Sequence, residues 1–250
     1  MDYESDHQKG CGTSFIVPAY NEEACLDSCL GSIRSACEEV GLEDWEIVVC
    51  DNNSTDQTPD VAAAQGARVV YEPYNQISRA RNRGAAEAKG AYLVFVDADS
   101  QVTPELVCQT IEALEMTKAC GGGTEIALSG ETPKLLLRGV LRAWTCCSRV
   151  FKVAAGSYVF CRRQAWEDVG GVSEELYAGE ELAFSREVRR WGRVHGMPFC
   201  ILRHCPVYTS PRKFHWYTPW ALCRQCFTLL KPGALKKRGR CFMWYQRPGQ

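Results

Sequence analysis

The sequence predicts an α/β fold: one domain on a mostly parallel central sheet, with helices covering both faces. Three observations carry that reading. Short apolar or β-branched runs alternate with segments of helical periodicity. Four such runs and three such segments fit between residues 13 and 97. Most of the runs stop in acidic or turn-forming residues rather than fading. Alternation of this kind makes βαβ units, whose right-handed crossovers lay helices on the two faces of a parallel sheet. Strands buried on both faces read as continuous apolar runs, as these do.

The elements follow in order. TSFIVP (13–18) reads as a buried strand. Residues 20–41 then carry apolar or small residues at Cys25, Leu26, Cys29, Leu30, Ile33 and Ala36–Cys37, which is helical spacing. Asn21 is placed as its N-cap and Gly41 as its stop. WEIVVCD (45–51) is a second strand, and NNSTDQT (52–58) is turn chemistry. Pro59 opens a helix that Gly66 ends. ARVVYE (67–72) is a strand, ISRARNRGAAEAKG (77–90) a helix, and AYLVFVD (91–97) the fourth strand. Beyond these, 104–117 is expected to be helical and 120–130 a glycine-rich turn into a strand. Residues 133–153 form a basic amphipathic segment, 156–162 a strand, 163–171 a short helix, 179–192 a further helix and 193–204 a returning strand.

Composition bounds the function. The chain has 250 residues, 46% of them hydrophobic, enough to bury one sizeable core. A net charge of −1 gives no reason to expect nucleic-acid binding. No run of about 18 apolar residues is present, so no membrane-spanning segment is expected; any membrane contact would be peripheral, through 133–153. MDYESDHQKG at the start does not read as a secretory signal. The 15 cysteines are read mostly as small buried hydrophobes in a reducing cytoplasm. Cys146-Cys147 and Cys223–Cys226 are two clusters for which a zinc site lacks an evident set of further ligands.

Chemistry is expected beyond the carboxyl ends of the strands, near a switch in strand order. The first strand ends in Pro18-Ala19-Tyr20-Asn21-Glu22-Glu23, the second in Asp51-Asn52-Asn53-Ser54, and the fourth in Asp97-Ala98-Asp99. They converge on an acidic crevice with Tyr20 at its lip. Neither a P-loop nor a G-x-G-x-x-G follows the first strand, which argues against a Walker ATPase and a dinucleotide dehydrogenase. Two aspartates separated only by Ala98 at a buried strand's end need positive charge nearby. Mn²⁺ or Mg²⁺ is the simplest source, because these ions take one or two carboxylates and complete their shells with substrate phosphate and water. Arg79, Arg81 and Arg83 could add fixed positive charge. Gly121-Gly122-Gly123, Gly156-Ser157 and Gly170-Gly171 are either places of close backbone approach to a ligand or plain turns.

FIVPAYNEE, DNNSTDQT, RARNRGA, VFVDADS and GEELAFSREVRRWG, in this order, resemble family 2 glycosyltransferases of the A-type nucleotide-diphospho-sugar fold, a Rossmann-like sandwich. The resemblance covers roughly residues 13–210. Read along its residues, the chain is expected to divide into a flexible tail at 1–12, a catalytic domain at 13–213, and an aromatic and basic extension at 214–250 packed on that domain. The resemblance implies a nucleotide-diphospho-sugar donor of UDP or GDP type and a hydroxyl acceptor, whether glycan, lipid or small molecule. Pro18, Tyr20 and Glu22 match the segment holding the nucleoside, and Asp51 the aspartate that contacts the base. Arg79 and Asn82 match residues on the nucleotide and diphosphate side. Asp97, with Ala98 beside it, matches the first acid of the D-x-D motif, near the ribose. Asp99 matches the second, which ligates the metal. Glu181 falls where the family usually carries an aspartate as catalytic base, with Glu180 before it; Glu-Glu is a departure from the commoner pair. TSPRKF (209–214) resembles the family's mobile C-terminal loop, which would bring Arg212 to the diphosphate, and His204 is a candidate third metal ligand. The implied chemistry is a single inverting displacement.

Two other readings are weighed against it. A sugar-phosphate nucleotidyltransferase would carry a glycine-rich basic loop after the first strand, where PAYNEE is acidic. A catalytically inactive sugar-nucleotide-binding protein is disfavoured by the intact Asp97, Asp99 and Glu181.

Overall fold

The computed structural model of the chain describes residues 12–130, 148, 153–154, 156–212, 233–241 and 245. The first half follows the βα alternation closely: β1 (Thr13–Ala19), α1 (Glu23–Glu39), β2 (Trp45–Asp51), α2 (Thr58–Ala64), β3 (Arg68–Tyr71), α3 (Ile77–Glu87) and β4 (Tyr92–Val96). Then come β5 (Ser100–Gln101), α4 (Pro104–Glu115), β6 (Gly121–Gly123), β7 (Ile126–Leu128) and β8 (Tyr158–Arg162). The described elements end with α5 (Arg163–Asp168), α6 (Glu180–Val194), β9 (Phe199–Ile201) and β10 (Val207–Thr209), followed by two single 3-10 turns at Ala234–Lys236 and Arg238–Arg240.

Seven strands form the central sheet in the order β3-β2-β1-β4-β8-β6-β9. The pairs β1–β2, β2–β3, β1–β4 and β6–β9 are parallel, whereas β8 runs antiparallel to both β4 and β6. The chain lays β2 and β3 on one side of β1 and then β4 on the other. The strand order therefore reverses between β1 and β4, and the crevice that such a reversal opens lies at their carboxyl ends.

Side chains alternate across the sheet with the strand period of two. Phe15 and Val17 point to the face covered by α1 and α4, where Leu26, Leu30, Ile33 and Leu106 are buried. Ile16, Leu93 and Phe95 point to the other face, against Ala85 of α3, Ala165 of α5, and Phe184 and Val188 of α6. Burying each large apolar side chain contributes about 1.5–3 kcal/mol. Helix propensities among ordinary residues differ by less than about 0.7 kcal/mol, so the buried stripe outweighs the weak helix preference of Cys29 and Cys37 in α1.

Several expectations are corrected. Gly121–Gly123 is not a turn but a strand inside the sheet, because its neighbours lie too close for side chains: a Cβ on Gly121 would come 2.6 Å from the carbonyl oxygen of Phe160. The strand expected over 193–204 shrinks to Phe199–Ile201. Helix α6 continues to Val194, and Gly196 at φ 67° turns the chain before the strand begins. Asn21 is not the cap of α1; Glu22 holds that position with no side-chain cap bond. Asn21 instead takes a left-handed backbone (φ 49°) and its Oδ1 accepts from the Thr55 N–H at 2.8 Å, tying the loop after β1 to the loop after β2.

A second, three-stranded sheet, β5-β10-β7, was not foreseen. In it β10 pairs antiparallel with β5 and parallel with β7. Its consequence is positional: it carries residues 209–212 back over the end of β4.

The described cysteines are free thiols, most of them buried. Burial pushes the Cys37 and Cys50 thiols up to about 12, so they stay protonated and pack as small apolar groups. Cys146-Cys147, Cys223–Cys226 and nearly all of the basic segment 133–153 lie outside the described residues. Among the described residues no helix is long and apolar enough to cross a membrane.

Candidate active site

The carboxyl ends of β1, β2 and β4 open into one cleft of about 930 Å³, mouth included. Pro18, Ala19, Tyr20 and Glu22 line it from β1, Asn52 from β2, and Asp97, Ala98 and Asp99 from β4. Glu180 and Glu181, at the start of α6, line it as well. Four of the predicted segments thus meet at the switch in strand order. Asp51 stands just outside this lining, its Oδ1 accepting from the Ser54 N–H at 3.1 Å and shaping the turn after β2.

The acid pair is divided between two arginines. Arg81, from α3, is buried and donates through Nη1 to Glu180 Oε1 at 2.9 Å and through Nη2 to Asp97 Oδ1 at 3.0 Å. The same Nη2 donates to the Gly156 carbonyl at 2.8 Å. Arg81 therefore fastens the first acid of the pair to the helix that carries the candidate base. Arg212, just past β10, reaches Asp99 Oδ2 at 3.3 Å and also pairs with the Glu22 carboxylate. Thr209 Oγ1 donates to Asp99 Oδ1 at 3.4 Å.

Glu181 has the perturbed carboxyl. Burial and the neighbouring Glu180 carboxylate raise it to about 8, against the opposing pull of Arg81. Both glutamates open α6, whose positive N-terminal end favours carboxylates there. The preceding Gly179, at φ 71°, lets the chain turn into the helix where a side-chain-bearing residue would be strained.

Besides Asp51, three predicted residues lie outside the lining: Arg212, which meets it through Asp99 and Glu22, and Arg79 and Asn82. Arg79 stacks over Tyr74 at 4.9 Å and pairs with Glu174 at 3.1 Å. Asn82 bonds both ways to Val172, its Nδ2 donating to the carbonyl and its Oδ1 accepting from the N–H, each at 2.8 Å. That exchange holds the 171–174 loop. His204 is exposed and left-handed (φ 64°), also away from the cleft. Conversely, Asn75, Ile77, Arg238 and Tyr245 line the cleft without having been singled out. The sequence alone offers Arg81 only as one of three arginines on one helix. Its helical face held the missing signal: Gly84, Ala85 and Ala88 follow it at i+3, i+4 and i+7, a small-residue stripe that turns inward. No spacing could have announced Arg238 and Tyr245, which arrive from the far end of the chain.

Whether the residues suit a metal can be tested on the donor set. Among the described residues no three of His, Cys, Asp and Glu are placed to cage an ion by themselves. Two hard carboxylates at an open cleft suit Mg²⁺ or Mn²⁺, which leave coordination positions to phosphate and water. They do not suit a structural zinc site.

Fold and site together define an A-type glycosyltransferase architecture. The family model for glycosyl transferase family 2 matches residues 14–144, just over half the chain, and the chain belongs to that family. It is 35% identical over 106 residues to the validoxylamine A glucosyltransferase of Streptomyces hygroscopicus subsp. jinggangensis, a match covering 40% of this chain and 25% of that protein. It is 32% identical over 126 residues to the dolichol-phosphate mannosyltransferase of Pyrococcus furiosus, covering 48% of this chain and 33% of that one. The matches thus span only about a quarter to a third of these relatives' length. Among solved structures, the mannosyltransferase PcManGT from Pyrobaculum calidifontis in complex with GDP-Man and Mn²⁺ superposes with a TM-score of 0.64 at 17% identity, covering 94% of this chain and 70% of that one. The glucosyl-3-phosphoglycerate synthase of Mycobacterium tuberculosis in complex with Mg²⁺ and uridine diphosphate gives 0.61 at 22% identity, covering 92% and 79%. Identities this low show a shared fold and no more.

Proposed function

We propose that the protein is a metal-dependent, inverting glycosyltransferase that moves a sugar from a UDP- or GDP-type donor to an acceptor hydroxyl. The observation that carries this is the meeting of Asp97 and Asp99 with Glu180 and Glu181 across one cleft at the strand-order switch. The relatives named above act as glucosyl- and mannosyltransferases, and the structural neighbours were solved with nucleotides and Mn²⁺ or Mg²⁺, which supports the donor class and the ion.

In this reading Pro18, Tyr20, Glu22 and Asp51 receive the nucleoside, and Asp97 supports its ribose. Asp99, with Asp97, holds Mn²⁺ or Mg²⁺, which when bound supplies positive charge to the departing diphosphate. Arg212 offers its guanidinium to the phosphate oxygens once it leaves Asp99, since a planar fork suits phosphate. Glu181 takes the proton of the acceptor hydroxyl as that oxygen attacks the anomeric carbon from the face opposite the leaving group. A carboxyl raised to about 8 is well matched to that task, because a base works best with a pKa near the working pH. Glu180 touches Arg81 instead, so it orients the helix that carries the base. Holding both substrates in one cleft supplies much of the rate enhancement. Arg79 and Asn82 keep a supporting part in this reading, steadying the loops that border the donor.

The test is a panel of UDP- and GDP-sugars with Mn²⁺ or Mg²⁺, read by thermal shift and by transfer or donor hydrolysis. One nucleotide sugar should stabilise the protein only with the metal present. Asp99→Ala should lose that metal-dependent shift. Glu181→Gln should keep it but lose transfer by at least a hundredfold, the scale of a general base. Wild-type transfer by Glu181→Gln would remove Glu181 from the base role.

A further inference from the structure

We infer that Arg212 is a built-in cation that occupies Asp99 until a divalent ion displaces it, so that metal entry and withdrawal of the 210–212 arm are one event. The inference rests on the metal-dependent reading above and adds what that reading lacks: a reason why the ion and the donor should arrive together.

Access is the first argument. The Asp99 side chain is only 3% exposed, against 24% for Asp97. Its Oδ2 faces Arg212 Nη2 at 3.3 Å and its Oδ1 faces Thr209 Oγ1 at 3.4 Å. Magnesium binds oxygen at about 2.0–2.1 Å and tolerates little distortion of its shell. No such ion reaches Asp99 while the guanidinium lies across it. The two acids are therefore unequal: Asp97 is open to the cleft, and Asp99 is covered.

Charge is the second argument. Arg212 Nη2 also pairs with the Glu22 carboxylate, so one guanidinium serves two carboxylates that are both mostly buried. A divalent ion brings twice the charge to the same place. Exchange leaves neither carboxylate uncompensated, which would be costly at such burial. It also releases a guanidinium beside the place where the diphosphate must lie.

Mobility is the third. Arg212 lies just beyond the three-residue strand β10, where its backbone is helical. The Ser210 N–H donates to the Asp99 carbonyl at 3.0 Å; the Arg212 N–H bond to Ser210 Oγ at 3.3 Å lies within the stretch itself. Moving its side chain gives up contacts to Asp99, Glu22 and the Cys25 sulfur and breaks no strand of the central sheet. Binding linkage then requires that whatever holds Arg212 away from Asp99, a diphosphate above all, tightens the metal, and the reverse.

The experiment titrates Mn²⁺ into the full chain without nucleotide and follows the free ion by electron paramagnetic resonance, then repeats the titration with UDP and with GDP. Arg212→Gln should bind Mn²⁺ alone about tenfold more tightly than wild type, a change of about 1.4 kcal/mol. Arg212→Lys, which keeps the charge but not the fork, should fall between them. Adding UDP or GDP should tighten Mn²⁺ binding in the wild type and narrow the gap to Arg212→Gln. Arg203→Gln, which removes an exposed cation elsewhere, should change nothing. If wild type binds Mn²⁺ with nucleotide, yet Arg212→Gln and Arg212→Lys bind the bare ion no better than wild type does, the inference is wrong while the metal-dependent reading stands. If Mn²⁺ binds in no arm, the metal-dependent reading itself fails and takes this inference with it.

Discussion

Two arginines compensate the two acids of the D-x-D motif, and they are mounted differently. Arg81 sits in the middle of α3 with its side chain 5% exposed, pinned to Asp97, Glu180 and the Gly156 carbonyl. Arg212 lies just beyond the short strand β10 and touches Asp99, Glu22 and the Cys25 sulfur. Each pairs one aspartate of the motif with one glutamate from another element. Arg81 joins parts that must stay in register: the end of β4 and the start of the helix carrying Glu181. Arg212 joins parts between which, in the proposed function, the donor would enter. The same charge chemistry thus serves as a fixed joint on one side of the cleft and a detachable one on the other.

The largest effect should follow from breaking the fixed joint. Arg81→Gln leaves the Asp97 and Glu180 carboxylates without their shared cation in a site where Glu180 is only 5% exposed. Removing one partner from a buried ion pair typically costs about 3–5 kcal/mol. We expect a loss near 3 kcal/mol in denaturant unfolding, together with loss of transfer. Arg212→Gln should cost less, and millimolar Mn²⁺ should recover that loss, because a dissolved cation can take the vacated place. Recovery of Arg81→Gln by Mn²⁺ to the same extent would erase the distinction between the joints.

The next effect is a pH dependence centred on Glu181. Its folded-state pKa of about 8 lies above the value near 4.3 of a free glutamate. A raised folded-state pKa means that the folded protein holds this proton more tightly than the unfolded chain does. The associated stability is fully present below about pH 4.3 and is lost as the pH rises through about 8. Glu181→Gln, which never ionises, should therefore gain thermal stability relative to wild type as the pH climbs across that window. Transfer runs the other way: the base form accumulates on the alkaline side, so kcat/KM should rise toward pH 8 and then level off. An acid limb centred near pH 4.5, with no pH-dependent gap in stability, would mean that Glu181 is ordinarily ionised.

The two halves of the chain differ in how far their residues reveal them. From Thr13 to Val96, strands and helices have distinct periods and their side chains supply nearly all the burial, so pattern and structure agree to within a few residues. The later elements break that link. Gly121–Gly123 is a strand with no side chains to show a period, held by the backbones of β8 and β9. Val207–Thr209 is three residues long and gains its place from pairing with Gln101 and Ile126, far away in sequence. Within the site, Asp97 and Asp99 were legible because two like charges end a buried strand, whereas Glu180 and Glu181, ordinary acids for a helix start, were picked out by the family resemblance. The arginines were not, because which carboxylate a cation meets depends on packing between distant segments. Arg212 was placed near the diphosphate by resemblance; its seat on Asp99 could be seen only once β10 had been laid beside β5.

The smallest effect tests the arginine that the family resemblance favoured. Arg79 and Arg81 are two positions apart on α3, which turns them about 200° from each other around the helix axis. Arg81 consequently points into the cleft and Arg79 away from it, onto the Tyr74 ring at 4.9 Å and to Glu174 at 3.1 Å. The Arg79–Glu174 pair is about 40% exposed on both sides, and such surface pairs contribute about 1 kcal/mol or less. Arg79→Gln should therefore shift stability by no more than about 0.5 kcal/mol. The donor KM should stay within about twofold of wild type, since a twofold change corresponds to only about 0.4 kcal/mol of binding. The outcome that would reverse this assignment is specific: unchanged stability with a donor KM raised tenfold or more. Stability and KM part company in that way only if Arg79 leaves Tyr74 and Glu174 to meet the diphosphate when the donor binds. Arg79 would then be a detachable cation of the same kind as Arg212, set against the fixed joint at Arg81.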